Sequence, residues 1–367
     1  MVRNSDIFQA IERWAPKWLA SSWDNVGLQV GSTSRESKKV LVTLDVLENV
    51  ADEAIQEGAD LIIAHHPLMF KPLKKLDTDS PKGRIIEKLI ENKISVYAAH
   101  TNLDIANHGM NDILAKLLGL QNTVHMIEEK SEKLLKVAVY IPKDHESELR
   151  SSLGEAGAGH IGNYSHCTFR YAGTGTFKPD SGTNPFIGEE GKLEQVDEVK
   201  VETIIKEAEL NSILEVIHSK HPYEEPAIDI YALENKGVTY GLGKVGTLEE
   251  SMTLESFAKF VKERLGMDHL RYIGEPTKLV SSCAVLGGSG EKYIEDARRS
   301  GVDVYVTGDV SFHTAQDAEA MGLAVVDAGH YIEKAIKKEI AAYLEEVFGT
   351  ELEVNISASC TDPFRFV

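Results

Sequence analysis

The sequence lacks long apolar stretches and has few cysteines. No segment of its 367 residues approaches the roughly 18 consecutive apolar residues of a membrane-spanning helix. The three cysteines, Cys167, Cys283 and Cys360, are odd in number and far apart, so they indicate neither a disulfide framework nor a Cys-rich metal site. The amino-terminal segment MVRNSDIFQAIERW is polar and amphipathic, unlike a signal peptide. These absences lead us to expect a soluble, cytoplasmic protein with no membrane partner.

Basic residues are also scarce. Lys and Arg number 39 against 58 Asp and Glu, which gives a formal net charge of -19. A general nucleic-acid partner is therefore not expected, because phosphate neutralisation needs a surface rich in Lys and Arg. The remaining composition, 42% hydrophobic and 26% charged, is typical of a globular protein, and the length indicates more than one domain.

Apolar strands and amphipathic helices alternate at both ends of the chain. Near-continuous apolar strands such as ADLIIA and AVVD are typical of an α/β layer with much parallel sheet. From about residue 133 to 236 the order changes to β-α-β-β-α-β, the ferredoxin-like pattern. The sequence therefore predicts the fold class α/β. Two α/β halves, residues 1–130 and 240–367, form one domain, and a ferredoxin-like insert at residues 131–239 interrupts it.

Two adjacent histidines, His65 and His66, follow the predicted strand ADLIIA. In open α/β sheets, ligands bind beyond the carboxyl ends of the strands. Adjacent residues that leave a strand point in different directions, so the pair suits two neighbouring metal ions better than one. Taken alone, such a pair is more often a surface or core feature than a metal site.

Two other strand ends carry possible metal ligands. Asp104 follows the strand at residues 94–102, although it could simply begin a turn. His330 follows AVVD, and Glu333 comes three residues later in the predicted first turn of a long helix, where the two side chains share one side. A capped helix start is the alternative. We predict that all these strand ends lie on the same edge of one α/β sheet. Imidazoles and carboxylates together suit Zn²⁺, Mn²⁺, Fe²⁺ or Co²⁺.

Further polar residues have two possible roles each. Asp309, in VTGDVSFHTAQDA, could reach the same cleft to orient a ligand or transfer a proton, or it could cap the following helix. His313 in the same segment is a second candidate for proton transfer. The segment SSWDNVG is either a turn with Trp23 packed over it or a loop that covers the cleft.

The motifs occur in the order of a known family. SWDNVGLQVG, AHHPLMF, AHTNLD, VTGD and GHYIE resemble the GTP cyclohydrolase 1 type 2 homologue family over about residues 1–130 and 240–367. The middle segment, with GNYSHCTF, GTFKP and HPYEEPA, resembles the PII- and CutA-like insert of the longer bacterial members. The resemblance implies two divalent metal ions per chain, with Glu333 bridging them and zinc as the first expectation before Mn, Fe, Co or Mg. The implied ligands are His65, His66, Asp104, His330 and Glu333.

The resemblance also implies an assembly and a reaction. The assembly is a ring-like homohexamer whose inserts cap the openings. The reaction is metal-assisted hydrolysis of GTP or a related compound, with Asp309 or His313 as possible proton shuttles. Nothing else in the sequence specifies guanine, so a non-catalytic metal carrier and a regulatory module whose insert senses a ligand are the alternatives. Some relatives place the glutamate four residues after the histidine rather than three, so we expect a slightly different local geometry here.

Overall fold

The computed structural model describes residues 2–366, which form two compact units. The first unit comprises the residues up to Lys130 and those from Tyr240 onward, and the second unit is Ser131–Thr239. Within the described residues, no helix is both long enough and apolar enough to cross a membrane.

The amino-terminal part of the first unit alternates short strands with helices. Helix α1 (Asn4–Trp14) buries Ile7 and Ile11 on one face and ends just before Pro16, which cannot continue a helix. The strands are β1 (Val2–Arg3), β2 (Gly27–Val30), β3 (Glu36–Ser37), β4 (Lys39–Thr43), β5 (Leu61–Ala64), β6 (Ser95–Ala98) and the start of β7 (Gln121–Pro142). The helices are α1 (Asn4–Trp14), α2 (Glu48–Glu57), α3 (Pro81–Glu91), α4 (Thr101–Ile105) and α5 (Met110–Leu117).

The second unit follows the order strand, helix, strand, strand, helix, strand. It consists of the end of β7, α6 (Glu146–Glu155), β8 (Thr168–Phe177), β9 (Glu194–Lys206), α7 (Leu210–Lys220) and the start of β10 (Ile228–Thr253). Strand β9 pairs antiparallel with both β7 and β8. Apolar residues of both helices join those of β7 and β9 in one core, which includes Leu149, Leu153, Ile213 and Ile217.

The carboxyl-terminal part of the first unit repeats the alternating style. After the end of β10, its strands are β11 (Arg271–Ile273), β12 (Leu279–Ser289), β13 (Val304–Gly308), β14 (Ala324–Asp327) and β15 (Glu353–Ile356). Its helices are α8 (Leu254–Arg264), α9 (Ile294–Arg299), α10 (Phe312–Ala320) and α11 (Ile336–Phe348).

These strands form two larger sheets in the first unit, so the mixed α/β class is confirmed but the prediction of one shared sheet edge is wrong. One sheet has the order β15-β4-β5-β6-β2, with β2 antiparallel at its edge. The other contains β11-β14-β13-β12-β10, in which β12, β13 and β14 are parallel. Parallel strands that follow one another in the chain are neighbours in their sheet, and a helix connects each such pair. Each part of the chain therefore builds mainly its own sheet, and only β15 returns to the first.

A single apolar core nevertheless joins both parts of the first unit. It takes residues from the strands of both sheets and from the helices between them. Its fully buried members include Ile63, Tyr97, Phe257, Val306, Val326 and Ile340. Removal of this apolar surface from water is the main force that holds the two parts together.

Candidate metal centre

His65 and His66 leave the carboxyl end of β5 and turn to different sides. His65 is fully buried, and its Nδ1 lies 2.8 Å from the carbonyl oxygen of Ala99. Because a carbonyl oxygen can only accept, Nδ1 carries the hydrogen and Nε2 is left with its lone pair. His66 is largely buried, and the two ring centroids are 5.1 Å apart.

Asp104 lies in the short helix α4, just past the end of β6. Its Oδ1 is 3.4 Å from His65 Nε2, and among the described residues neither atom has a hydrogen-bond partner. Buried polar atoms are almost always partnered, because an unsatisfied one is costly. Two buried acceptor atoms that face each other in this way can both bind a cation placed between them.

Glu333 is buried, and its two oxygens face different imidazoles. Oε1 lies 3.9 Å from His65 Nε2, while Oε2 lies 2.9 Å from His66 Nε2 and 3.3 Å from His330 Nε2. The ligand atoms of His65, His66 and Glu333 all lie within 4.8 Å of one another. The structure therefore brings residues from the ends of β5 and β14, which belong to different sheets, into one cluster.

The local helix type explains the spacing of His330 and Glu333. We predicted the first turn of a long α-helix, but His330–Ala335 form a 3₁₀-helix, and α11 begins only at Ile336. In a 3₁₀-helix, residues three apart lie directly above one another. The spacing of three residues thus places the side chains of His330 and Glu333 on the same side of the 3₁₀-helix.

Two further carboxylates orient the imidazoles. His66 Nδ1 bonds Asp45 Oδ1, and His330 Nδ1 bonds Asp309 Oδ2, each at 2.7 Å. Such outer partners fix the ring orientation and leave Nε2 directed at the centre. Sequence reasoning missed Asp45, although it follows β4 by two residues and so obeys the same strand-end rule as His65.

Asp309 and His313 have different locations. Asp309 adopts a left-handed backbone conformation with φ 58° and reaches the cluster through His330, whereas Ser311 occupies the position before α10. His313 is exposed on α10, and its Nδ1 lies 3.3 Å from Gln316 Oε1. The structure does not bring His313 to the cluster.

The cluster is strongly polarised when it holds no metal. Burial opposes ionisation of Glu333, but hydrogen bonds from His330 and His66 outweigh it and hold the pKa of Glu333 well below its usual range. Burial also opposes the charged form of His66, yet its bonds to Asp45 and Glu333 raise its pKa to about 10. The bond to Glu333 raises the pKa of His330 to about 9, against the effect of burial. Protons therefore supply the positive charge that this buried carboxylate requires.

The cluster opens into a cavity of about 1920 Å³ within the first unit. Trp23, Phe70 and His100 line one part of its wall, next to His66. The backbone nitrogen of Asp24 donates to the carbonyl oxygen of Ser21 at 3.0 Å, so the segment forms the turn that one of our two interpretations predicted. Trp23 in this turn is 53% exposed and lines the cavity, as the interpretation of a loop at the cleft requires.

Comparison with known proteins identifies the family. The sequence model of Duf34/NIF3 (NGG1p interacting factor 3) matches residues 2–363. This chain belongs to the DUF34/NIF3 family. Two curated relatives, both named GTP cyclohydrolase 1 type 2 homolog, are each 48% identical to it. The match with the Halalkalibacterium halodurans protein covers 98% of both chains, and that with the Bacillus subtilis protein covers 100% of this chain and 99% of the relative.

A solved structure shares the fold. The crystal structure of a Bacillus cereus protein related to NIF3 is 48% identical, with a TM-score of 0.92 over 100% of this chain and 99% of that one. The resemblance inferred from the motifs is therefore confirmed, as is the mixed α/β architecture with several sheets.

The position of Glu333 in this DUF34/NIF3 chain requires a residue without a side chain at Gly288. Gly288 has φ +65°, and a Cβ added there would lie 2.7 Å from Glu333 Oε1. We expect the added methyl group of Gly288→Ala to displace the Glu333 carboxylate and to weaken metal binding about tenfold or more, a loss like that from disturbing an outer partner of a metal ligand. The backbone strain should also lower the free energy of unfolding by about 1–2 kcal/mol. Metal titration and denaturant unfolding measure the two effects.

Gly322→Ala is the matched control for that experiment. Gly322 has φ +75°, but a Cβ added there would meet nothing within 4 Å. Its substitution should cost similar stability without changing the metal affinity. Equal metal affinities in the two variants would contradict the role we assign to Gly288.

The carboxyl-terminal segment of the chain also supports the centre. Thr361 Oγ1 donates a hydrogen bond of 2.5 Å to Asp45 Oδ2, on the side of Asp45 away from His66. We expect Thr361→Val to lower the free energy of unfolding by about 1 kcal/mol and to weaken metal binding less than Gly288→Ala does. Thr277→Val, which removes an exposed bond to Glu275, should leave metal binding unchanged. Calorimetric metal titration of the Thr361 and Thr277 variants tests this, and equal losses in both would contradict a relay through Asp45.

Proposed function

We propose that this chain binds two divalent metal ions and uses them in the hydrolysis of a small molecule, GTP or a related compound. The proposed ligands are His65, His66, Asp104, His330 and Glu333. The observation that carries the proposal is the pair of buried, unpartnered acceptor atoms, His65 Nε2 and Asp104 Oδ1, at 3.4 Å. A cation is the partner that such a pair lacks.

The distances within the cluster support two ions with one shared ligand. His65 Nε2, Asp104 Oδ1 and Glu333 Oε1 form one group of donor atoms. The Nε2 atoms of His66 and His330 form a second group with Glu333 Oε2. These nitrogen and oxygen donors suit zinc first, and Mn, Fe, Co or Mg as alternatives.

The remaining residues would serve the reaction from around this centre. Bound divalent ions supply Lewis acidity for hydrolysis. Asp45 and Asp309 keep the imidazoles of His66 and His330 in orientation. The Asp309 side chain is 40% exposed. Because its Oδ2 already accepts from His330, we propose Oδ1 as the atom that takes up a proton from the attacking water.

Metal content and GTP turnover, measured on the same sample, test the proposal. We expect about two metal ions per chain by elemental analysis, with a formamidopyrimidine or dihydroneopterin product from GTP. Both should be lost in the His65→Ala/Glu333→Ala double variant. Failure to bind Zn²⁺, Mn²⁺ or Fe²⁺ after reloading would contradict the whole proposal.

Metal delivery is the second candidate function. The His330 side chain is 42% exposed, whereas that of His65 is fully buried, so one part of the centre is open to exchange. A carrier would pass metal quickly to an apo-acceptor and would turn over no small molecule. Bound metal that transfers within the mixing time, without any product, favours this function over hydrolysis.

The second unit and the assembly carry two further proposals. We propose that Ser131–Thr239 are a ferredoxin-like, PII- and CutA-like insert, supported by the sheet order β10-β7-β9-β8 and by the core that both helices share with that sheet. The family resemblance supports a homohexamer. Light scattering should then give six times the mass of one chain, and a monomeric mass would contradict it.

A further inference from the structure

Two exposed aromatic side chains lie beside the metal centre, and the proposed hydrolysis assigns them no role. Trp23 and Phe70 are 53% and 44% exposed, and both line the cavity that contains the cluster. Their ring centroids are 5.5 Å apart, with an interplanar angle of 48°. Large apolar side chains that remain exposed together on a cavity wall are typical of a ligand contact.

The pair is next to the candidate metal ligands. His100 lies 6.0 Å from Trp23 and 6.5 Å from Phe70, measured between ring centroids. On its other side, His100 lies 5.4 Å from His66. One imidazole therefore separates the aromatic pair from the centre, so a ring that touches the pair places its attached atoms near the metal ligands.

Buried hydrogen bonds hold the loop of Trp23 in place. The fully buried Asp24 side chain accepts bonds from His100 Nδ1 at 2.9 Å and from the backbone nitrogen of Thr101 at 3.0 Å. Burial opposes ionisation of Asp24, but its hydrogen bonds from His100 and Thr101 together outweigh burial and lower the pKa of Asp24 to about 2. Trp23, its neighbour in sequence, is thus fixed against the end of β6.

A second set of bonds ties the loop of Phe70 to the same place. Asn25 Nδ2 donates to the carbonyl oxygen of Met69 at 2.6 Å, and the backbone nitrogen of Met69 donates to Gln29 Oε1 at 3.1 Å. The loops that carry both rings are therefore held together before any ligand arrives. Such preorganisation lowers the entropic cost of binding.

We propose that Trp23 and Phe70 form a binding site for a planar nitrogen heterocycle, such as a purine or a pterin. One ring face stacks on the ligand, and the tilted second ring contacts its edge, as aromatic rings prefer. This inference deepens the proposed function, since it names the substrate class of that centre, but the binding step itself requires no turnover. Trp23 and Phe70 are the specificity-determining residues of the site.

Equilibrium binding to the full-length protein tests this site. The probes are GTP, ATP and neopterin, with tripolyphosphate as the probe that has no ring, each titrated into Zn²⁺-loaded and EDTA-treated protein by calorimetry. We expect Trp23→Leu and Phe70→Leu each to weaken binding of at least one ring-bearing probe about 10- to 100-fold. Tripolyphosphate affinity and metal content should not change. Leucine keeps an apolar side chain and removes only the ring.

Two further variants make the result specific. Trp23→Phe keeps an aromatic face and should retain most of the ring affinity. Phe312→Leu changes a side chain that is 72% exposed on α10 and should affect no probe. Circular dichroism confirms that each variant is folded.

The outcomes separate this inference from the proposed function. Ring binding that depends on Trp23, in a protein that neither retains metal nor turns over GTP, would overturn the hydrolase proposal and leave the aromatic site standing. The aromatic site is wrong if the wild-type protein binds no ring-bearing probe more tightly than tripolyphosphate. It is equally wrong if Trp23→Leu alters only the oligomeric mass, because the pair would then be a contact between copies of the chain.

Discussion

Glu333→Gln should empty the centre of metal while the chain stays folded. Glu333 is the carboxylate that the Nε2 atoms of His65, His66 and His330 all approach within 3.9 Å. The amide keeps the size of the side chain but removes its charge and one of its two acceptor oxygens. We expect the metal content after dialysis to fall from about two ions per chain to less than one, with an affinity loss beyond the roughly 10- to 100-fold typical of outer partners. Elemental analysis and competition with a chelator measure both quantities.

Glu346→Gln provides the control for this variant. Glu346 is exposed on α11, the helix that follows the 3₁₀-helix of Glu333. Its substitution makes the same chemical change outside the centre and should leave the metal content unchanged. Two tightly bound ions in Glu333→Gln would show that Glu333 is not a shared ligand, even if the other four residues are.

The candidate cluster was predictable from local sequence because each candidate ligand comes after a strand. ADLIIA ends at His65 and His66, and AVVD ends just before His330. Apolar strands can be recognised from composition. In an open α/β sheet, the residues just beyond the carboxyl ends of the strands lie where ligands bind. In the structure, Glu333 lies close to His65, His66 and His330, and Asp104 joins the cluster through His65. Asp309 contacts His330.

The arrangement of the sheets was not predictable in the same way. β5 and β14 have the same sequence character, yet they lie in different sheets. Strand periodicity indicates which face of a strand is buried but not which strand is its neighbour, and that depends on contacts distant in sequence. The 3₁₀-helix at His330–Ala335 was missed for a different reason, since such short helices carry no periodic signal.

The supporting residues show where sequence reasoning ends. Asp45 obeys the strand-end rule and could have been found. Thr361 could not, because its bond to Asp45 joins residues 316 positions apart and the surrounding segment has no regular pattern. Trp23 and Phe70 belong to loops whose hydrogen bonds with each other, through Asn25, are visible only in three dimensions.

Metal binding near pH 7 should release at least two protons per chain, one each from His66 and His330. His66 and His330 have pKa values of about 10 and about 9 in the metal-free protein. Bonds to Asp45 and Glu333 raise the pKa of His66, and the bond to Glu333 is the main cause for His330. Both are therefore protonated at pH 7, and an imidazole must be neutral at Nε2 to ligate a metal. Metal affinity should rise with pH up to about 9–10, where both imidazoles are already deprotonated in the absence of metal. Calorimetric titration with Zn²⁺ in two buffers of different ionisation enthalpy counts the protons directly.

The same pKa shifts fix the sign of the pH dependence of folding in the absence of metal. Raised histidine pKa values stabilise the fold fully below the unfolded value of 6.5, and this contribution is lost as the pH rises through about 9 and 10. The lowered pKa of Glu333 stabilises the fold fully above its unfolded value of 4.5, and this contribution is lost progressively as the pH falls from there through the lowered pKa of the folded state. The free energy of unfolding of EDTA-treated protein should therefore be greatest between about pH 4.5 and 6.5 as far as this centre is concerned. Glu333→Gln should weaken this pH dependence, because it removes the main partner that raises the pKa of His330 and one of the two that raise the pKa of His66. A wild-type profile that instead rises steadily from pH 6.5 to 10, with no proton release on Zn²⁺ binding, would show that the imidazoles are already neutral and that the three rings do not share Glu333 as a counter-charge.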